Sequence, residues 1–378
     1  GEYLIEIAKK IYDKDKIKWL NEEENIRKIF FENYAVSELL DKIKYDLSLL
    51  DIKFDKFTHE SAIVREKIID KIFSILENKK LLYEGFLEKP KGDENSDWSP
   101  RKQLLFKSSK FSDDNDRPFK KENGEWTYFA NDAAYHYNKF SRNFDHLINI
   151  WGSDHIGYIP RMKSITQVFS ENSNYLEIHV CQIVRLIKQN KILKMSKREN
   201  NFITLSDLYN QVGKDPIRYF MVATKNETPM DFNIDKVIEK NKDNPSFYCQ
   251  YAYARASSVI NKSKDHNEFK NLFFLLEQFN FSYISKYEKE IILKIIAWPY
   301  LLNQAIENRQ PHRITNYIEE LSSSFHSFWN RGIEDKSLRI LNLDNKVQTI
   351  TKLLWIESFR IVLKKAFDIL GIESLEEM

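Results

Sequence analysis

From about residue 235 onward, the apolar residues of this chain recur at helical spacing. Amphipathic stretches run over 283–308, 311–329 and 347–370, separated by short polar turns. That succession dictates a helix bundle, because each apolar stripe can be buried only against another. Asn244-Pro245 opens the bundle, with Asn as the N-cap and Pro at the first helical position. Tyr248 and Tyr251 follow at i and i+3 on one face, and Arg255 lies four residues beyond Tyr251. Such a tyrosine pair belongs to a core, or forms a stacking platform for unpaired bases.

The middle of the chain carries a different signal. His146-Leu147-Ile148-Asn149-Ile150-Trp151 is a compact apolar strand, followed directly by Gly152-Ser153-Asp154-His155. Glycine at the end of a strand permits close approach of a planar ligand, and an Asp two residues on can accept ribose hydroxyls. A helix over 160–170 and a strand-like run over 176–187 extend this to a βα unit of a parallel sheet. Upstream, Trp126-Thr127-Tyr128-Phe129-Ala130 leads into a helix whose start is expected near Asn131 or Asp132, both good caps. On spacing alone Asp132 reads as an N-cap, with binding of a cationic substrate group as the alternative.

Between strand and bundle lies Ile192-Leu193-Lys194-Met195-Ser196-Lys197-Arg198. Short basic runs are commonly solvated surface. Here the run follows a β-like segment and precedes a helix expected to open at Ser206 or Asp207, so it is an ordered loop at an element boundary. Lysines three apart, with Ser196 between them, converge several donors on a polyphosphate. Asp215-Pro216 is expected to open the next helix, with Pro at its first position.

Ahead of the βα unit, residues 1–50 read as helices, with Ile26, Ile29, Phe30, Val36, Leu39 and Leu40 at helical spacing. Leu50-Asp51-Ile52-Lys53-Phe54-Asp55 alternates like a half-buried strand. Glu60 just beyond it is either a ligand-binding side chain or a surface residue capping the next helix. Residues 88–123 are turn-rich and polar, as expected of a surface insertion.

Composition narrows the function classes. Net charge is +2 over 378 residues, so a nucleic-acid partner would have to be met by local patches. Cys181 and Cys249 lie far apart with no CxxC pair, which argues against a structural zinc site or disulfide framework and fits a reducing cytoplasm. No run approaches the roughly 18 apolar residues of a membrane span. The chain opens at Gly1 without Met, already in a helical pattern, and reads as cut from something longer.

Taken together, these segments resemble the class I aminoacyl-tRNA synthetases, and among them the arginyl-tRNA synthetases of bacterial type. The likeness runs in order along nearly the whole chain: GEYL at 1–4, WTYFANDAAYH at 126–136, WGSDHIGYIPRMK at 151–163, KMSKR at 194–198, NPSFYCQYAYAR at 244–255, and the closing residues through Met378. The resemblance implies an α/β fold, with an incomplete Rossmann-like parallel-sheet catalytic domain over 1–190 carrying a surface insertion at about 62–125. A loop and connecting helical region over 191–240 and an all-α anticodon-binding bundle over 241–378 would follow.

It further implies ATP-dependent activation of arginine, with Mg2+ accompanying ATP, and transfer to tRNA(Arg) by a monomeric cytoplasmic enzyme. Lys194 and Lys197 would stabilise the departing pyrophosphate while Ser196 holds the loop. Gly152, Asp154, His155 and Met195 would meet ATP. Glu60, Tyr128, Asp132 and His155 would meet arginine, since a guanidinium demands carboxylates around it; this favours the binding role for Asp132. Tyr248, Tyr251, Arg255 and Met378 would sit at the anticodon.

One family motif has no counterpart. None of the eight histidines forms the HxGH pair that class I enzymes place against ATP phosphates, upstream of GEYL. The resemblance therefore implies a piece lacking the N-terminal third, the C-terminal chain of a split synthetase, or a non-catalytic tRNA-binding paralogue, with full activity expected only where that region is supplied. The retained Lys194, Lys197, Asp154, Tyr128 and Asp132 speak against the paralogue. Specificity for cysteine is opposed by the missing zinc-ligand cysteines.

Overall fold

The computed structural model describes residues 3–86, 101–111, 113–195 and 203–378. The chain divides into two compact units, one formed by residues 1–53, 184–225 and 230–378, the other by residues 54–183 and 226–229.

The first unit begins with helices α1 (Tyr3–Asp15) and α2 (Glu24–Leu49), joined by a turn in which Trp19 stacks on Phe30 with centroids 3.7 Å apart. The helical spacing of 1–50 is realised, but α2 buries none of its side chains, and Ile26, Ile29 and Val36 are exposed. The strand expected over 50–55 does not form. Leu50 instead ends α2, and residues 52–59 run irregularly, because alternation without a pairing partner leaves backbone groups unsatisfied.

The second unit contributes α3 (Glu60–Arg65), α4 (Ile68–Asn78), β1 (Leu82–Phe86), β2 (Lys102–Phe106), β3 (Arg117–Lys120), α5 (Tyr128–Phe140), β4 (Leu147–Gly152), α6 (Ile159–Ser170) and β5 (Leu176–Cys181). Strands β1, β2 and β3 form an antiparallel sheet. The polar segment expected to be a surface insertion is therefore partly core, since Phe106 and Phe119 are fully buried. Both rings pack against Phe129 of α5. Strands β4 and β5 pair in parallel, Asn149 opposite Ile178. α5 and α6 join them in one hydrophobic cluster containing Ala133, Ala134, Leu147, Ile165 and Leu176.

The rest of the first unit begins at β6 (Val184–Lys188), with β7 (Lys191–Ile192), α7 (Leu205–Val212), α8 (Lys214–Ala223), β8 (Met230–Asn233) and α9 (Ile234–Val237). The run over 176–187 is thus two strands in different sheets, with exposed Ile183 at the break. β6 pairs β8 in parallel and β7 in antiparallel fashion. Two helix starts also differ from expectation. α7 is capped by Thr204, with Asp207 at N3 completing a capping box. α8 begins at Lys214 after Gly213, whose φ of +81° suits glycine, so Pro216 is the third residue and not the first.

The bundle consists of α10 (Pro245–Ser263), α11 (Lys286–Glu307), α12 (His312–Glu334) and α13 (Lys346–Leu370). Its caps are local and legible: the Asn244 side chain accepts from Phe247 N–H, and Ser285 forms a capping box with Glu288. The aromatic core stacks Phe325 on Phe359 at 4.4 Å. Among the described residues no helix is long and apolar enough to cross a membrane.

Candidate active site and anticodon-binding face

The second unit holds a cluster at the N-terminal end of α5. Thr127 caps this helix, accepting from Ala130 N–H at 3.3 Å while its hydroxyl donates to the Pro118 carbonyl at 2.8 Å. The cap therefore lies four to five residues before the expected ones. Asn131 and Asp132 lie in its second turn, so Asp132 does not cap it. Tyr128, at the first position, is 80% exposed. It shares a helix face with Asn131 and Asp132.

Asn131 bridges this turn to α3: its Nδ2 donates to Glu60 Oε1 at 3.1 Å. Glu60 is the first residue of α3 and does not follow a strand. Asp132 is half-buried, and its carboxyl is pushed above the usual carboxylate range, first by burial and then by repulsion from Glu60. His155, Lys139 and Arg161 pull it the other way. Two carboxylates thus converge where one resists ionisation, an arrangement that a cation relieves. Asn131 escaped the sequence reading because it looked like a rival cap.

At the C-terminal end of β4 the chain leaves Gly152 in extended conformation (φ −71°, ψ 157°) and enters a short 3-10 helix over Ser153–Tyr158. A Cβ on Gly152 would meet Asp154 Oδ1 at 2.6 Å, so the missing side chain leaves room for that carboxylate. His155 Nε2 lies 3.4 Å from Asp154 Oδ2, and both side chains are largely exposed. Arg161 stacks over the Tyr158 ring at 4.3 Å. It faces Asp132 and went unnoticed in the sequence, where only its segment stood out.

In the first unit, Lys194 and Met195 follow β7 and are exposed. Ser196 and Lys197 lie outside the described residues. On α10, Tyr248, Tyr251 and Arg255 are half-buried along one face against α12. The His326 ring meets Tyr248 at 4.2 Å and Tyr251 at 5.5 Å. Arg255 donates to the Tyr251 hydroxyl at 2.8 Å, and its guanidinium lies 4.2 Å from the centroid of the Tyr251 ring and 5.3 Å from that of Trp329. Met378 is 51% exposed. His326 and Trp329 complete this aromatic face; the sequence placed both in a helix without indicating that they meet α10.

Residues 249–378 match the family described as the DALR anticodon binding domain. The structure superimposes on Mycobacterium tuberculosis methionyl-tRNA synthetase, solved with methionyl-adenylate, with a TM-score of 0.64 at 12% identity, over 88% of this chain and 80% of that one. The fold is that of the class I aminoacyl-tRNA synthetases. A Campylobacter jejuni structure described as an arginyl-tRNA synthetase superimposes with a TM-score of 0.81 at 29% identity, over 100% of this chain and 76% of that one. The arginine–tRNA ligase of Orientia tsutsugamushi (strain Ikeda) is 41% identical over the whole of this chain. The chain belongs to the arginyl-tRNA synthetase family, and it spans 64% of that Orientia relative's length.

Proposed function

We propose that the protein of which this chain forms at least a part activates arginine with ATP and transfers it to tRNA(Arg). The observation that carries the reading is the convergence of Glu60 and Asp132 around a position suited to a planar, permanently charged guanidinium. Burial and Glu60 both disfavour the charged form of Asp132, and such a cation offsets both. Tyr128, exposed beside them, closes over the arginine side chain, and His155 stands at the edge of the same subsite.

In the first step a carboxylate oxygen of arginine attacks the α-phosphorus of ATP. The bond to the β-phosphate breaks, and pyrophosphate leaves with its charge. Lys194 and Lys197 stabilise that leaving group, with Ser196 holding the loop and Met195 against the nucleotide. Gly152 and Asp154 receive adenine and ribose, and Mg2+ arrives as part of the ATP substrate. A hydroxyl of the terminal adenosine of tRNA then attacks the arginyl carbonyl and displaces AMP. Tyr248, Tyr251, Arg255 and Met378 bind the anticodon. The unpaired thiols Cys181 and Cys249 support a cytoplasmic setting, and a monomer is the proposed state.

The test is amino-acid-dependent ATP–pyrophosphate exchange in the full-length protein with tRNA(Arg) present. Exchange with arginine but not with citrulline, its neutral isostere, supports the reading. Equal exchange with both, or none with arginine, overturns it.

A further inference from the structure

Behind the half-buried Asp132 carboxylate of α5 lies a line of polar groups with no part in the chemistry above. His136 and Asn149 are 4% and 5% exposed, deep in an otherwise apolar cluster. His136 Nδ1 lies 2.8 Å from the Asp132 carbonyl oxygen, and its Nε2 lies 2.7 Å from Asn149 Nδ2. Lys139 Nζ donates to Asn149 Oδ1 at 2.9 Å.

The direction of every bond in this line follows from its two ends. A lysine ammonium only donates, so the group facing it is the Asn149 carbonyl, and the Asn149 amide N–H therefore points at His136. A backbone carbonyl only accepts, so His136 carries its proton on Nδ1 and presents a bare Nε2 to Asn149. The imidazole is neutral and has one tautomer. Burial, followed by repulsion from Lys139, lowers its pKa to about 4, in keeping with that assignment.

The line joins two elements that carry different halves of the proposed site. One end is the main chain of Asp132, whose side chain faces Glu60. The member on the strand is Asn149 in β4, three residues before Gly152 and five before Asp154. A buried polar group could have been replaced by an apolar one at little cost to packing; retaining two, fully satisfied, fixes one geometry between helix and strand.

We propose that His136 is a positioning residue that sets the Asp132 carboxylate of the arginine subsite relative to the nucleotide-binding end of β4, by donating to the Asp132 carbonyl while accepting from Asn149. The inference rests on the assignment of Asp132 to arginine and of the β4 end to ATP. Its role is geometric: His136 touches neither substrate and exchanges no proton. Misplacement of a binding group by about 1 Å can cost as much as 10²-fold, so the consequence falls on arginine.

The experiment compares three substitutions in the full-length protein by pyrophosphate exchange. His136→Phe keeps the ring and loses both bonds. His136→Asn keeps a donor near Nδ1, and His136→Gln keeps an acceptor near Nε2. The expected result is an arginine KM raised about tenfold in His136→Phe, with the ATP KM within about twofold of the parent, and most of the arginine KM recovered in His136→Asn but not in His136→Gln. Should His136→Phe not fold, the comparison of Asn with Gln decides alone. Arginine and ATP constants rising together, or Asn and Gln variants behaving alike, overturn the proposal. Asp132→Asn serves as the reference: an unchanged arginine KM there removes the underlying site assignment, whereas a raised one beside an unaffected His136→Phe removes only the positioning role. Nitrogen-15 spectra of His136 give a readout apart from activity; a proton on Nε2 in the parent protein also overturns it.

Discussion

His326 packs its ring at a tilt against Tyr248 and at the same time holds that residue's main chain. The ring centroids lie 4.2 Å apart at 35°, and Nε2 is 3.1 Å from the Tyr248 carbonyl oxygen. Because that carbonyl can only accept, Nε2 carries the proton and Nδ1 accepts from Arg255 at 3.1 Å. The histidine thereby locks α10 to α12 and leaves Tyr251 and Arg255 along a half-buried face.

Tyr251→Ala should weaken tRNA(Arg) binding by about 1–3 kcal/mol if a base stacks on that face. Tyr251→Phe, which keeps the ring and loses the 2.8 Å bond from Arg255, should lose much less affinity. Filter binding of both variants, alongside their melting temperatures, separates the two roles. A fall in stability with unchanged tRNA affinity would return Tyr251 to the core.

Acidification should destabilise the protein through its buried histidines. Burial holds His136 and His326 at about 4, below the usual histidine range, with Lys139 and Arg255 adding repulsion. Between roughly pH 6.5 and 4 the unfolded chain takes up protons that the folded one refuses, so stability falls as pH drops through that window. Each group contributes at most about 3 kcal/mol, the free energy of a shift of that size. Urea midpoints at pH 7, 5.5 and 4.5 measure it. Replacing either histidine by Asn should flatten the slope, and an unchanged slope would contradict the assignment.

Lys197→Ala in the full-length protein should slow adenylate formation by about 10²–10³, the scale of one transition-state donor. Single-turnover measurement of the arginine-dependent step isolates this from product release. An unchanged rate constant would exclude Lys197 from the leaving-group role.

Gly371→Ala should cost about 2–4 kcal/mol of stability. Gly371 ends α13 at φ +69°, and the Arg218 side chain occupies the space a Cβ would take. Arg218 donates there to the Leu370 and Leu50 carbonyls, both at 2.6 Å. In an Arg218→Met background the same substitution should cost only the backbone part, about 1–2 kcal/mol. Chemical unfolding of the four proteins of this cycle gives the coupling, and purely additive costs would refute the clash.

The amino-acid sequence by itself determined what depends on near neighbours. The helices after Asn244, their periodic apolar faces and the Asn244 cap were legible because each bond closes within one turn of the chain. The strand before Gly152 was legible for the same reason, as an apolar run bounded by glycine. The tertiary structure decided whatever needed a distant partner. The alternation over 50–55 found no strand to pair with and stayed irregular. The true cap of α5 is Thr127, whose hydroxyl is fixed by the carbonyl of Pro118 in β3. Asp132 was consequently carried into the second turn, beside an Asn131 that reaches Glu60 across 71 residues of sequence. Phe106 and Phe119 were drawn from a polar-looking segment into the core, because burying two aromatic rings outweighs the polarity of the turns around them. Spacing along a chain fixes which face a side chain occupies; only packing fixes what that face meets.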